Sequence, residues 1–310
     1  MQAALSGYVT IWTVIAAGWL AAHLHALDEN ARRVLSRFAF TVASPVLLFT
    51  LVGRADLRHL FSLTVVVSGL AIVAVAGLYL AVARLLLAPG SLAERVVGTL
   101  CSAYTNAGNL GLPIAAYVLG DMTWMAPILL IQIGILQPTA LALLDASTRR
   151  DGGRLRWRTY LTLPLRNPLT LGTALGLAVN AAGWHVPDAI WAPATMLGAA
   201  AVPAMLVAFG VSLRLDPLPG RGPHARELVV VTILKVLVQP AVAFGLATAV
   251  FRLPTDQVLA VTVLAALPTA QNIFLIAGRY RVGYRLARDA IFVSTVASIP
   301  VIIAAATWLR

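Results

Sequence analysis

Four side-chain amides stand beside two interruptions of apolar sequence. Asn106 and Asn109 lie in the run Tyr-Thr-Asn-Ala-Gly-Asn-Leu-Gly-Leu-Pro that begins at Tyr104, and Gln271 and Asn272 close the run Ala-Leu-Pro-Thr-Ala-Gln-Asn. An amide donates and accepts hydrogen bonds without carrying a charge. These side chains can therefore bind a polar solute, although amides also bond between transmembrane helices when no solute is present.

The first run interrupts an apolar stretch, Val96 to Gly120, that is long enough to cross a bilayer. Within it, Gly108 and Gly111 weaken a helix, and Pro113 lacks a backbone donor. Broken backbone at membrane depth is tolerated only where protein buries it or a polar cavity solvates it. We therefore predict a helix break at the middle of the membrane.

The second run places Pro268 inside the apolar stretch from Gln257 to Ala277. Two interrupted spans in corresponding places of two halves point to a transporter's binding site. Each chain segment that leaves a break starts a new half-helix, with Pro113 or Pro268 expected in its first turn. The N-terminal ends of half-helices favour anions, since their N–H groups are unpaired and their dipole is positive. The sequence thus predicts a site for a small carboxylate, lined by Asn106, Asn109, Pro113, Pro268, Gln271 and Asn272.

Weaker candidates lie in other apolar stretches. Gln132 and Gln137 are polar residues of the fifth stretch. Lys235 is the single lysine and lies inside the eighth stretch, where a charged residue is a functional candidate. Its place, seven residues from the start of that stretch, favours snorkelling of the side chain to the membrane interface, and a direct role in substrate binding or coupling is the alternative.

The composition is that of a polytopic membrane protein. Of 310 residues, 60% are hydrophobic and only 11% are charged, whereas soluble domains carry about 25% charged residues. The single cysteine, Cys101, excludes an internal disulfide and a multi-cysteine metal site. Hydropathy places ten spans: Leu5–Leu24, Phe38–Gly53, Phe61–Ala83, Val96–Gly120, Trp124–Leu144, Pro168–Trp184, Ile190–Leu213, Leu228–Phe251, Gln257–Ala277 and Ala287–Leu309.

The basic residues predict the orientation of these spans. Eighteen of the 23 lysines and arginines lie in loops after odd-numbered spans, and four lie after even-numbered spans. Basic loops stay in the cytoplasm. We therefore expect a multi-pass protein of the plasma membrane, the inner membrane in bacteria, with both termini outside.

The chain divides into two sets of five spans: residues 1–145 and 165–310, joined by a basic cytoplasmic loop at 146–164. Because five is odd, the second set is inverted relative to the first. A Ser-Pro run that ends at Gly53 resembles a Val-Pro run that ends at Gly210. The prolines of the two breaks have a similar offset. The predicted fold is all-α, with ten transmembrane helices in two inverted repeats.

Several motifs resemble the auxin efflux carrier family. The run from Asn106 to Pro113 resembles the family's fourth span, and the run from Arg166 to Leu177 resembles its sixth. The run from Pro268 to Tyr280 is similar to the ninth, and Ser-Thr-Val-Ala-Ser-Ile-Pro from Ser294 is similar to the tenth. The resemblance implies that spans four and nine are broken and cross. It also implies transport of small organic anions: malate- or malonate-type acids in bacteria, auxin in plants.

The leading hypothesis is a secondary transporter of a small organic anion working by alternating access. A sodium-coupled carrier similar to bile-acid symporters and a non-transporting membrane sensor are the alternatives. An enzyme is not expected, because the spans contain no nucleophile, base or metal-ligand pattern. No cofactor and no nucleic-acid partner are expected. The expected partners are the substrate and the lipid bilayer, and a homodimer is left open.

Overall fold

The computed structural model describes residues 2–54, 62–111, 114–120, 124–147, 168–217, 219–220 and 222–309. Of residues 2–8, 11, 108–109, 116–117, 126–127 and 130, the backbone alone is described. Most of these residues are helical, and a helix lets backbone inside a bilayer satisfy its own hydrogen bonds. Pro113 and most of the predicted 146–164 loop lie outside the described residues.

The helices follow the predicted spans closely. In chain order they are α1 Gln2–His23, α2 Glu29–Gly53, α3 Leu63–Leu86, α4 Leu92–Ala103, α5 125–147, α6 Pro168–Ala181, α7 Asp188–Leu215, α8 Ala225–Val250, α9 Thr255–Ala265, α10 Asn272–Tyr280 and α11 Tyr284–Trp308. Two short π-helical segments, Ala107–Gly111 and Ala115–Leu119, follow α4. Among the described residues, α2, α3, α7, α8 and α11 are long and apolar enough to cross a membrane. The ten-span inverted repeat stays a prediction.

Local signals explain where two helices begin. Ser91 and Glu94 form a capping box at the start of α4: each side chain accepts a hydrogen bond from the other residue's backbone N–H. The carboxylate of Asp28 accepts from the backbone N–H of Ala31, so α2 begins nine residues before the apolar stretch that predicted it. The additional turns carry arginines, which hydropathy assigned to a loop.

The helices pack as two groups. In the first, α1 packs against α7 and α2 packs against α6. The contacts are backbone to backbone: a Cβ on Gly210 would lie 2.0 Å from the carbonyl oxygen of Ile15, and one on Gly172 would lie 2.1 Å from that of Pro45. In the second group, α3, α4, α8, α9 and α11 pack against one another. The interruptions after α4 and α9 lie within the second group.

Candidate functional site

The two interruptions meet in the structure. α4 ends at Ala103 and α9 ends at Ala265, and the chain after each runs extended before it turns helical again. The backbone N–H of Asn106 donates to the carbonyl of Pro268 at 2.8 Å, and that of Ala270 donates to the carbonyl of Tyr104 at 3.1 Å. These two bonds form an antiparallel bridge, which we call the crossing (residues 104–106 and 268–270). Each break therefore satisfies backbone groups of the other, as a water-free environment requires.

Neighbouring side chains fix the crossing further. The Thr269 hydroxyl donates to the carbonyl of Cys101 at 2.6 Å, and the Thr269 backbone N–H donates to the hydroxyl of Ser294 at 3.1 Å. Ser294 belongs to α11, in the motif that resembles the family's tenth span. The crossing is thus held to the C-terminal part of α4 and to the middle of α11.

A cavity of about 100 Å³ lies against one side of the crossing. A single water needs about 10–15 Å³ of such space, so the cavity can hold several waters or a small organic acid. Its described lining carries no charged side chain, and polar groups sit among aliphatic ones. The polar lining consists of Ser44, Tyr104, Thr105, Asn106, Gln132, Gln137 and Asn272.

Three of these side chains hold one another. The Tyr104 hydroxyl donates to Gln137 Oε1 at 3.0 Å. Asn272 Nδ2 donates to the same oxygen at 3.2 Å and lies 3.3 Å from the Tyr104 hydroxyl. Because each contact joins a break to α5 or to the other break, the three residues form a rigid polar wall. We call them the amide–tyrosine cluster.

Three other lining residues present buried polar atoms that have no partner within the described structure. These atoms are the hydroxyl oxygen of Thr105, Nδ2 of Asn106, and Oε1 and Nε2 of Gln132. Burying such a group without a hydrogen bond costs about 1–3 kcal/mol. Since all three residues line one cavity, a polar solute or ordered water there would satisfy them together.

The π-helical segment Gln132–Leu136 explains why α5 contributes two glutamines. In a regular α-helix, residues five apart point about 140° away from each other, at roughly 100° per residue. Here the backbone N–H of Gln137 donates to the carbonyl of Gln132, an i→i+5 bond. The wider turn brings both amides to the cavity.

The starts of the re-entering helical segments also reach the cavity. Ala107, the first residue of the segment Ala107–Gly111, and Asn272, the first residue of α10, both line it. First-turn N–H groups are the positive end of a helix dipole. The contribution of α10 is the stronger, because it is a regular helix of nine residues.

The predicted site residues divide as follows. Asn106 and Asn272 line the cavity. Gln271 is buried directly before α10 and is not part of the described lining. Pro268 lies in the extended crossing, four residues before α10, so its predicted place in the first turn is wrong: its carbonyl serves the bridge instead. Pro113 and the side chain of Asn109 lie outside the description.

The glycines of the first break lie where the chain becomes helical again. Gly108 and Gly111 both belong to the π-helical segment after the crossing. A Cβ on Gly111 would lie 2.4 Å from the terminal carbon of Met125 in α5. Gly111 therefore allows the re-entering segment to pack closely on α5.

Lys235 occupies a place that the sequence did not favour. Its side chain is completely buried, and Nζ donates to Gln239 Oε1 at 2.7 Å and to the carbonyl of Ala265 at 2.9 Å. The ammonium group therefore points to the end of α9 and does not snorkel to the interface. A hydropathy profile cannot show this, because it gives depth along the helix and not the direction of the side chain.

A second, larger void lies beside the first. It measures about 840 Å³, and Leu275 lines both voids. Five arginines and one carboxylate face it: Arg32, Arg33, Arg37, Arg279, Arg281 and Glu29. We call it the basic vestibule. Such a concentration of positive charge attracts anions.

Sequence comparisons agree on a class of protein. A family model described as membrane transport protein matches residues 4–152 and 155–305. A protein of Rhizobium meliloti (strain 1021) named "Putative malonate transporter" is 26% identical over 287 residues, which cover 91% of this chain and 88% of that protein. An "Uncharacterized transporter" of Methanothermobacter thermautotrophicus is 28% identical over 303 residues, 94% of this chain and 93% of that protein.

Proposed function

Because the chain belongs to the auxin efflux carrier family of membrane transport proteins, we propose that it is a secondary transporter of a small organic anion. The substrate class is a dicarboxylate such as malate or malonate, or an auxin-like carboxylate. The observation that carries this proposal is the cavity at the crossing, where unpartnered amide and hydroxyl groups meet the starts of two helical segments.

The chemistry of the cavity favours a carboxylate over a cation. Asn106 Nδ2 and Gln132 Nε2 are donors without described partners, and a carboxylate is an acceptor only. The first turn of α10 adds a positive dipole end. No carboxylate belongs to the described lining, so a bound cation would have no counter-charge there. Malonate as the cargo is also supported by the name of one relative.

The place of the cavity supports alternating access. Its walls come from α2, α6 and α7 of the first helix group, and from α5 and the crossing segments on the other side. A site between two packed groups can open to either face when one group moves against the other. The basic vestibule supports the cytoplasmic face as one entrance, since its arginines belong to predicted cytoplasmic regions.

Uptake into proteoliposomes tests the substrate class. Labelled malonate, malate and an aromatic carboxylate are each compared with the neutral amide and the amine analogue of the same skeleton. We expect at least one acid to accumulate above protein-free liposomes and the matched amide and amine to stay at background. Carriage of an amine together with rejection of every acid would refute the proposal.

A further inference from the structure

Lys235 lies at the C-terminal end of the interrupted helix α9. Its ammonium group donates to the carbonyl of Ala265, the last residue of α9. It also donates to Gln239 Oε1, and Nε2 of Gln239 donates in turn to the carbonyl of Ala103 at 3.2 Å, the last residue of α4. One lysine amino group and one glutamine amide therefore bond the C-terminal ends of both interrupted helices.

Such helix ends need compensation. The last carbonyls of a helix have no intrahelical donor, and the dipole gives each end about half a negative charge. Two ends lie here in a completely buried place: Lys235 is 0% and Gln239 is 1% exposed. No described carboxylate pairs with Lys235. Its hydrogen-bonding partners are therefore a helix-end carbonyl and an amide oxygen.

The same oxygens are typical ligands of a small metal cation. Carbonyl and amide oxygens suit hard cations, and half-helix C-terminal ends coordinate sodium in transporters with broken helices. In this chain the ammonium group already occupies that position. None of Lys235, Gln239, Ala103 and Ala265 belongs to the described lining of the cavity, so this cation is separate from the substrate's own contacts.

We propose that Lys235 carries a proton, because the negative ends of two helices face its amino group, and that this ammonium group takes the place of a sodium ion at the crossing, so that transport needs no sodium. This inference rests on the proposed function only in its last clause. Whether Lys235 fills a buried cation position can be tested without any substrate. A carrier with a resident positive charge keeps its crossing assembled in every state, whereas a sodium-dependent carrier loses that charge whenever the ion leaves.

Thermal unfolding of the purified protein tests whether Lys235 fills that position. We compare chloride salts of sodium, lithium, potassium and N-methylglucamine at equal ionic strength. We expect the unfolding temperature of the unmodified protein to be the same in all four. A selective rise in sodium would overturn the proposal.

Two substitutions make a matched pair. Lys235→Ala opens a space at the helix ends, whereas Lys235→Met fills the same space with an uncharged chain. We expect both to lower the unfolding temperature by about 5 °C or more, because the carbonyl of Ala265 loses its donor. Sodium, lithium or methylammonium should restore part of the loss in Lys235→Ala alone. Equal stability of Lys235→Met and the unmodified protein, or no cation effect on Lys235→Ala, would overturn the proposal.

Uptake measurements test whether transport needs sodium. Carboxylate uptake in sodium-free N-methylglucamine medium should lie within about twofold of uptake in sodium medium, and a strict sodium requirement would refute it. The two failures are distinguishable. A protein that carries no carboxylate refutes the proposed function, yet its cation-dependent stability still decides the role of Lys235. If Lys235→Ala does not fold, a selective sodium effect on the unmodified protein, or full stability of Lys235→Met, would still overturn that role.

Discussion

At the scale of single residues, the cavity separates side chains that build it from side chains that offer contacts. Tyr104, Gln137 and Asn272 bond to one another and so hold their own positions. Thr105, Asn106 and Gln132 end in polar atoms without described partners. We therefore expect the first set to fix the shape of the site and the second set to bind the solute.

Asn106→Ala tests this division. A hydrogen bond to a charged partner contributes about 1.5–3 kcal/mol, so kcat/KM for the transported acid should fall at least about tenfold while folding is unchanged. Proteoliposome kinetics and size-exclusion profiles provide the two measurements. Asn180→Ala is the matched control, because Asn180 Nδ2 donates to the carbonyl of Val52, and Asn180 is not part of the described cavity lining.

Asn272→Ala should reduce transport through a different route. It removes a member of the amide–tyrosine cluster, so Tyr104 and Gln137 gain alternative positions and the maximal rate falls together with the affinity. The same kinetics decide the matter. If the maximal rate and the affinity are unchanged in both the Asn106 and Asn272 variants, these amides serve only as contacts between helices.

The sequence predicts some of these residues and not others, for physical reasons. Asn106 and Asn272 are recognisable because they stand beside proline or glycine interruptions, where broken backbone in a membrane needs protein or a polar cavity around it. Tyr104 is not, since a tyrosine at a helix end is as common in packing as in binding. Gln132 and Gln137 are only weak candidates in the sequence, since the π-helical turn that brings both to the cavity has no clear sequence pattern.

At the scale of helices, a Gln-Pro pair directly follows a π-helical segment twice among the described residues. Gln137-Pro138 follows the π-helical segment Gln132–Leu136, and Gln239-Pro240 follows Leu234–Val238. Proline cannot donate to the carbonyl four residues earlier, and a wider turn relieves that mismatch. In both places the glutamine bonds to the break of the other half of the chain. Gln137 accepts from Asn272, which follows the second break, and Gln239 donates to the carbonyl of Ala103, which precedes the first.

Close helix packing gives a prediction at the same scale. Gly210→Ala and Gly172→Ala each place a methyl group about 2 Å from a backbone oxygen of the neighbouring helix, so each should destabilise the protein by about 1–3 kcal/mol. Gly77→Ala is the control: nothing lies within 4 Å of a Cβ there, and alanine is the better helix former by about 0.5–1 kcal/mol. Unfolding temperatures in detergent provide the comparison, and equal losses in all three variants would contradict it.

At the scale of the whole molecule, the pairing of helices agrees with the predicted repeat. If α1 corresponds to α6 and α2 to α7, exchanging the halves converts the α1–α7 contact into the α6–α2 contact, and both contacts exist. The proline-containing runs of α2 and α7 also correspond in this exchange. Swapped contacts of this kind follow from a twofold relation between the two halves, and the inversion of the second half stays a prediction.

The distribution of arginines predicts the orientation of the surface loops. In a Cys101→Ser background, a cysteine at the exposed position Asp256 should react with an impermeant thiol reagent in intact cells. A cysteine at the exposed Arg285 should react only after the membrane is opened. The opposite pattern would reverse the orientation derived from the arginine-rich loops.

The bridge between the breaks also has a consequence for synthesis on the ribosome. Cys101 and its partner Thr269 are 168 residues apart, and translation proceeds at about 5–20 residues per second. The first break therefore enters the bilayer roughly 10–30 s before its partner exists. During that interval its backbone groups need a substitute, such as water or the wall of the insertion machinery. A stop in translation between the two breaks thus leaves a half-protein that is inserted but unable to complete its own backbone pairing, a natural target for membrane quality control.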